Sequence, residues 1–162
     1  MTQDADATAC LGLYRKLAAA VTVVTSHGRG PVGLTASSVT SVSLHPPLLL
    51  VCVATGSATL AAICSTRVFA VHLLREDQRA TAEAFGGPVR DPQLFASLAY
   101  EYRLGVPVLV DALAWSVCRL VDVREYGDHR VVVGQIAATG VGGGRPLVWH
   151  DRHYNRLCDC GG

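Results

Sequence analysis

The sequence has little charge and no basic cluster. Only 17% of its 162 residues are Asp, Glu, Lys or Arg, and 14 basic residues nearly balance 13 acidic ones, for a formal net charge of +1. Proteins that bind a nucleic-acid backbone usually concentrate Lys and Arg on one face. The balanced, dispersed charge therefore gives no indication of nucleic acid as a partner.

The sequence also lacks a long apolar run, although 50% of its residues are apolar. Its longest uncharged apolar run, near residues 48–54, is far shorter than the roughly 20 residues that a helix needs to cross a bilayer. The opening MTQDADATA carries acids and no basic segment followed by an apolar stretch, which predicts a cytoplasmic protein without a secretory signal. An interface between subunits is then the better explanation for the apolar surplus.

The six cysteines form no CxxC pair and no Cys/His spacing typical of a metal site. In a reducing compartment we expect them to be small apolar core residues or thiols of the tail. Cys158 and Cys160 form a CxC that we assign to a frayed end. The prediction is one domain over residues 1–162, with frayed tails at 1–6 and 158–162 and no metal.

The most informative stretch is GLTASSVTSVSLHPPLLLVCV, residues 33–53. Residues 48–54 follow a Pro-Pro pair as a short apolar run, which is typical of a strand buried on both faces. Between Thr35 and Ser43, six of nine residues are Ser or Thr, spread over both faces of an extended chain. Such small hydroxyl side chains suit either the polar edge of a flat ring system or an edge strand that faces water.

Gly28, Gly30 and Gly33 spell GxGxxG directly after a predicted strand. A dinucleotide-binding motif of this kind needs a helix that begins inside it and an acidic residue about 20 positions later. Here a β-branched run follows Pro31, and no Asp or Glu occurs between Gly33 and Arg75. We therefore interpret Gly28 and Gly30 as hairpin turn residues and reject a Rossmann fold.

Residues 54–63, ATGSATLAAI, run from a strand through a glycine into an alanine-rich helix. Ser57 occupies the expected N-cap, so free backbone N–H groups, the helix dipole and the hydroxyls of Ser57 and Thr59 converge there. This arrangement suits a phosphate, although Ser is also the commonest ordinary cap.

The remaining pattern predicts a mainly β chain at barrel-like strand spacing, with a few helices packed on it. Helices are predicted at residues 7–20, at 76–85 with Ala82 and Phe85 facing inward, and around 92–100. Further strands are predicted at 21–25, 68–74, 106–110, 115–123, 130–138 and 146–150, the fourth and fifth of these forming a hairpin with a polar turn at 124–129.

Together these segments resemble the flavin reductase family, the FMN-binding split-barrel reductases of two-component flavin monooxygenases. The resemblance covers nearly the whole chain and rests on VTVVTS (21–26), residues 33–53, SAT (57–59), FAVHLL (69–74), YGDH (126–129) and PLVWHDRHY (146–154). It implies a homodimeric, six-stranded Greek-key split barrel. Flavin would lie in a groove near the subunit boundary, with NAD(P)H stacked on its exposed face.

The resemblance also implies a set of cofactor-binding residues and one catalytic candidate, His129 at the nicotinamide side. The isoalloxazine would be lined by Thr35, Ala36, Ser37 and Ser38, and the floor of the groove would be formed by Val51, Cys52 and Val53. The flavin phosphate would be held by Ser57 and Thr59, and the far end of the groove would be closed by His150 and Tyr154. Ser41, Phe85 and Asp128 complete the set of cofactor-binding residues. Taken alone, a turn histidine such as His129 is more often simply a solvated residue.

Two residues depart from the family pattern: His45 stands where an acid is common, and His72 where Asn is common. The first lies in a predicted loop. The second lies at a strand end near the predicted site, which leaves the orientation of bound flavin open.

The function implied is an NAD(P)H-dependent flavin reductase that supplies free reduced FAD or FMN to a partner monooxygenase. The lack of an Arg/Lys cluster for a 2′-phosphate favours NADH over NADPH. A flavin-binding carrier or sensor, and an oxidase of the pyridoxamine phosphate type, remain as alternatives. The choice between FAD and FMN and the identity of the oxygenase stay open.

Overall fold

The computed structural model describes residues 6–87 and 93–158, and in these ranges the chain is mainly β, as predicted. The helical segments are α1 (Ala7–Arg15), α2 (Ala58–Thr66), α3 (Arg79–Gly86) and a 3₁₀ helix (Leu94–Ser97). The strands are β1 (Ala19–Ala20), β2 (Thr22–His27), β3 (Pro31–Ala36), β4 (Val39–Leu44), β5 (Pro47–Ala54), β6 (Val68–Leu73), β7 (Tyr100–Arg103), β8 (Val106–Leu109), β9 (Ala114–Tyr126), β10 (His129–Val141), β11 (Leu147–His150) and β12 (His153–Arg156). None of the described helices is long and apolar enough to cross a membrane.

The main sheet has seven strands in the order β3-β2-β6-β9-β10-β5-β4. In the described ranges its two edge strands, β3 and β4, are not hydrogen-bonded to each other, so the hydrogen-bonded order does not close into the six-stranded barrel that the resemblance implied. Ala36 on β3 and Val51 on β5 nevertheless belong to one core cluster, and Val39 on β4 packs against it. The sheet therefore curls around a shared core.

The β9–β10 hairpin joins the two halves of this sheet, one that begins at β6 and one that begins at β5. The two halves pair with opposite ends of the hairpin. β9 pairs with β6 through residues 114–119, near the open end of the hairpin. β10 pairs with β5 through residues 129–135, near the turn. Glycine is needed where the bulged β10 crosses the core, since a Cβ on Gly134 would lie 2.5 Å from Phe69 Cζ.

The two predicted hairpins are confirmed. Gly28 N donates to Gly30 O at 2.9 Å, and this turn joins β2 to β3 in the register His27 with Pro31. The second hairpin is longer than predicted, and its turn shrinks to Gly127 and Asp128, with Gly127 at φ +62°. Glycine suits this left-handed conformation because it has no Cβ.

The expectation that residues 48–54 are buried on both faces is wrong for the single chain. Leu49, Val51 and Val53 are buried, whereas Leu48 and Leu50 between them are partly exposed. Only one face of β5 packs on the core, because no element of the described chain covers the other.

The first helix is shorter and less buried than predicted. α1 ends at Arg15, and no residue in it is buried. The four-residue spacing of Leu13 and Leu17 predicts a face turned toward the core, but these side chains are 63% and 61% exposed. Asp151 ties the end of this segment to the sheet through a hydrogen bond from its N–H to Arg15 O (2.9 Å) and an ion pair with Lys16 (3.3 Å).

The helix predicted around residues 92–100 is replaced by the short 3₁₀ helix and by β7, which the sequence reading missed; residue 92 lies outside the described ranges. β7 and β8 form a separate two-stranded sheet. Val106 and Val108 of β8 pack on Ala70 and Val117, so this hairpin covers the outer face of the main sheet.

Candidate functional site

The Ser/Thr-rich segment at the end of β3 contains both hydrogen-bonded and unpaired hydroxyls. Thr35 Oγ1 donates to Ala82 O at 2.6 Å, and Ser38 Oγ donates to Cys52 O at 2.9 Å, so both hydroxyls stabilise the fold. Ser37 is exposed, and its hydroxyl has no partner among the described residues. Ala36 turns its side chain into the core. Ser37 thus offers the free polar group of this segment.

A pocket of about 160 Å³, here called the Trp149 pocket, opens beside this segment. Its lining residues come from β3, α3, β11 and β12, from the residue after β3 and from the residue before β2. They are Val21, Thr35, Ala36, Ser37, Gly86, Trp149 and Tyr154. Trp149 and Tyr154 meet edge to face with ring centroids 4.9 Å apart, and the Arg79 guanidinium lies 5.4 Å from the Tyr154 ring centroid. The pocket lining therefore combines two aromatic rings with small residues.

The structure thus brings Thr35, Ala36, Ser37 and Tyr154, four of the predicted cofactor-binding residues, to one pocket. Sequence reasoning missed Trp149, although it stands in the quoted PLVWHDRHY segment. His150 follows Trp149 at the end of β11 but does not line the pocket.

Phe85, a predicted cofactor-binding residue, does not line this pocket but belongs to the same core cluster as Val21, and Trp149 and Tyr154 pack against that cluster. The ring is 7% exposed and packs edge to face on Phe95 at a centroid distance of 5.3 Å. A Cβ on Gly33 would lie 2.6 Å from Phe85 Cε1, so the third glycine of the GxGxxG pattern makes room for this ring. Gly86 follows Phe85 and lines the pocket.

The N-terminus of α2 is capped as predicted. Ser57 Oγ accepts hydrogen bonds from Thr59 N (3.2 Å) and Leu60 N (3.5 Å), and Ser57 is partly exposed. Its O–H can still donate to a ligand oxygen while the oxygen caps the helix. Thr59 differs, because it is fully buried and its Oγ1 has no partner among the described residues. The structure corrects the expected pair: Ser57 can reach a phosphate from solvent, whereas Thr59 cannot without moving.

The groove floor expected at residues 51–53 is corrected in the same way. Val51 and Val53 are 0% and 1% exposed and belong to the core cluster, so their side chains cannot line an outer groove. Cys52, between them, is partly exposed. Ser41 lies exposed on the edge strand β4, outside the residues that line the Trp149 pocket.

His129 lies beside the connection between β5 and α2. It pairs in register with Ala54, and Thr55 donates from its N–H (3.0 Å) and its hydroxyl (2.5 Å) to Asp128 O. His129 Nδ1 lies 2.7 Å from Asp128 Oδ1, and the imidazole side chain is 49% exposed. This hydrogen bond lowers the pKa of Asp128. His129 therefore lies beside the connection that leads to Ser57 and is not among the residues that line the Trp149 pocket.

His72 is near the end of β6, as expected, but it does not face a ligand. It is fully buried between β2 and β9, with Nδ1 2.9 Å from Val23 O and Nε2 without a partner among the described residues. Burial lowers the pKa of His72 from 6.5 to about 4. The ring is a neutral part of the core, with Nδ1–H donating to the carbonyl.

Comparison with known proteins adds a match to a family model. Residues 14–157 match the model described as flavin reductase like domain. A probable flavin reductase from Rhizobium meliloti (strain 1021) is 40% identical over 128 residues, which are 77% of this chain and only 40% of that protein's length. The reductase component of 4-nitrophenol 4-monooxygenase/4-nitrocatechol 2-monooxygenase from Rhodococcus opacus is 40% identical over 141 residues, or 86% of this chain and 75% of that protein.

A solved structure also matches over the full length. The NADH:FAD oxidoreductase SgcE6 of Streptomyces globisporus C-1027, in complex with NAD and FAD fragments, superposes with a TM-score of 0.90 at 26% identity, covering 100% of this chain and 99% of that one.

Proposed function

The chain belongs to the flavin reductase like domain family, and from this we propose that it is a flavin reductase that oxidises NADH and reduces FAD or FMN. The observation that carries the proposal is the Trp149 pocket, in which the segment containing Ser37 faces two aromatic rings. The names of the two relatives and of the matching structure support both substrates and a separate monooxygenase that uses the reduced flavin.

The residues present fit a flavin. Bound flavin supplies the acceptor for the hydride that the reduced nicotinamide carries. Small side chains at Ala36 and Ser37 leave room for a flat ring, and the free Ser37 hydroxyl can bond to its polar edge. At the other end, Ser57 Oγ–H and the positive end of the α2 dipole suit a phosphate. No carboxylate lines the pocket, which agrees with a reaction in which the protein positions two cofactors.

Steady-state oxidation of NADH with added flavin tests this proposal. We expect NADH consumption over many turnovers that depends on FAD or FMN, and crossing both flavins with NADH and NADPH gives the preferences. Flavin binding without NADH oxidation would instead identify a carrier or sensor. Oxidation of pyridoxamine phosphate without NADH would identify the oxidase alternative.

We further propose that His129 helps to place the nicotinamide. Its Nδ1–H is directed at Asp128, which leaves Nε2 free at the exposed end of the site. His129→Ala should raise the KM for NADH by about three- to tenfold and leave flavin affinity nearly unchanged, since only binding of the second substrate loses a contact. A role in proton transfer would cost about a hundredfold in kcat. Kinetics with both substrates varied measure this, and unaltered NADH parameters would make His129 an ordinary turn residue.

We also propose a homodimer built on the uncovered face of β5 and β10, with the curled sheet of each subunit as one split barrel. Leu48, Leu50, Val131 and Val133 are partly exposed along this face, and nearby Val42 is 49% exposed. An apolar face of this kind normally finds cover. Sedimentation at micromolar concentration should show a dimer, and replacing Leu50 and Val133 with Lys should give a folded monomer. A wild-type protein that sediments as a monomer would contradict the proposal.

A further inference from the structure

A second cavity, of about 320 Å³, lies at the C-terminal end of α2 and shares no lining residue with the Trp149 pocket. Its walls come from α2 and from β9 and β10; they are Cys64, Arg67, Leu120, Val123, Glu125 and Arg130. α2 has nine residues, so about 14 Å separate this end from Ser57. We call it the Arg67 cavity. It is distinct from the places assigned to flavin and NADH.

Arg67 occupies a backbone position that usually belongs to glycine. It caps α2 in the left-handed conformation, with φ 63° and ψ 16°. Glycine is the common residue at such helix ends because a Cβ is unfavourable there. The side chain is nevertheless held in place, since Arg67 Nη2 donates to Leu120 O at 3.2 Å and Leu120 N donates to Arg67 O at 2.8 Å. The guanidinium is thus fixed at the wall of the cavity.

The charges around the cavity leave one cation unmatched. Arg130 donates from Nε (3.1 Å) and Nη2 (2.9 Å) to Glu125 Oε2, so these two groups neutralise each other. Arg67 has no carboxylate within ion-pair distance in the described part of the chain. Beside it, Leu120 is buried in the core cluster and Val123 packs against that cluster. The cavity therefore combines an apolar wall with one guanidinium that has no ion-pair partner among the described residues.

We propose that the Arg67 cavity binds a small organic carboxylate whose apolar body packs on Leu120 and Val123. A planar guanidinium matches the two oxygens of a carboxylate. One unmatched positive charge balances a monoanion, whereas a phosphate dianion would keep an uncompensated negative charge in the cavity.

The cavity also stays open in the dimer proposed above. Val123 and Arg130 alternate with Arg124 and Val131 along the paired strands, so they lie on the opposite face of the hairpin from Val131. The cavity proposal does not depend on the flavin reductase activity, because it rests on a separate set of residues.

Titration of the flavin-loaded, isotopically labelled protein with benzoate, followed by amide chemical shifts, tests this site. We expect saturable shifts of Arg67, Leu120 and Val123 with a Kd on the order of 1 mM, and no saturation with the neutral isostere benzamide. Arg67→Gly should weaken benzoate binding by about tenfold or more. Its melting temperature should be unchanged or higher, because glycine suits the left-handed position. Arg124→Gln, on the other face of the hairpin and paired with Asp122 at 2.8 Å, is the matched control and should keep the affinity.

Three results would overturn the proposal: no saturable shift with benzoate, equal binding by benzamide, or shifts centred on Thr35 to Ser37. Unchanged benzoate affinity in Arg67→Gly would overturn it as well. If that variant is less stable than the parent, Arg67→Asn repeats the test, since Asn also tolerates the left-handed conformation.

Discussion

Replacing Ser57 with glycine should weaken FMN binding by about 1 to 3 kcal/mol, the range for a hydrogen bond to a charged group. Ser57 Oγ caps α2, and its proton remains available to a phosphate oxygen. Glycine is the better replacement than alanine because it costs an N-cap only a few tenths of a kcal/mol, so the fold stays intact while the hydroxyl is lost. Flavin fluorescence titration gives the affinity.

Riboflavin is the ligand control, since it lacks the phosphate, and its affinity should not change in Ser57→Gly. Thr59→Val is the matched protein control. It removes a buried hydroxyl that has no partner among the described residues, so it should leave FMN affinity unchanged and stabilise the fold by about 1 kcal/mol. A loss of FMN affinity in Thr59→Val would show that Thr59 does reach the phosphate. A loss of riboflavin affinity in Ser57→Gly would place the phosphate elsewhere.

Lowering the pH from 7 to 4 should reduce the free energy of unfolding by about 3 kcal/mol through the titration of His72. Burial lowers its pKa from 6.5 to about 4 in the folded chain. Between these two values the unfolded chain binds the proton and the folded chain does not, so the free energy of unfolding falls as the pH falls through this window. Above pH 6.5 the ring is neutral in both states and the full stability is present.

Denaturant unfolding at several pH values measures this effect. Other groups titrate in the same window, so the contribution of His72 is measured by comparing the wild type with His72→Asn. The quantity compared is the slope of the free energy of unfolding against pH. In the variant the amide N–H₂ can still donate to Val23 O. His45→Asn, which replaces an exposed turn histidine, is the matched control. If His72→Asn keeps the wild-type slope, His72 is not the group responsible.

Much of the strand pattern could be predicted because the local sequence patterns of strands, turns and helix caps were strong. The glycine turn at Gly28 and Gly30, the cap at Ser57 and the inward side chains of Ala82 and Phe85 each follow from local chemistry, and the structure confirms all of them. The sequence did not predict β7 because the alternation of Tyr and charged residues in YEYR covers only four residues, and most of them are exposed. The apolar face of α1 misled because apolar spacing does not show whether a partner surface exists.

The sequence could predict which segments contribute to the candidate site but not which of their side chains point into it. Thr35 to Ser37 and Tyr154 could be named from their segments, but the direction of a side chain depends on strand register and on what covers each face. Val51, Val53, Thr59 and His72 all turn into the protein for this reason. Trp149 reaches the pocket because β11 pairs with both β1 and β12, a tertiary arrangement with no local signal.

The offset pairing of the β9–β10 hairpin has a consequence for how the molecule opens. β6 pairs with one end of the hairpin and β5 with the other. The two pairings overlap at only one position, where Arg119 of β9 pairs with Gln135 of β10. Either half can therefore fray from its edge while the hairpin stays intact, but the hairpin cannot separate without releasing both halves. Amide protons in the middle of the hairpin should exchange with solvent only through complete unfolding, whereas those of β3 and β4 exchange through local opening.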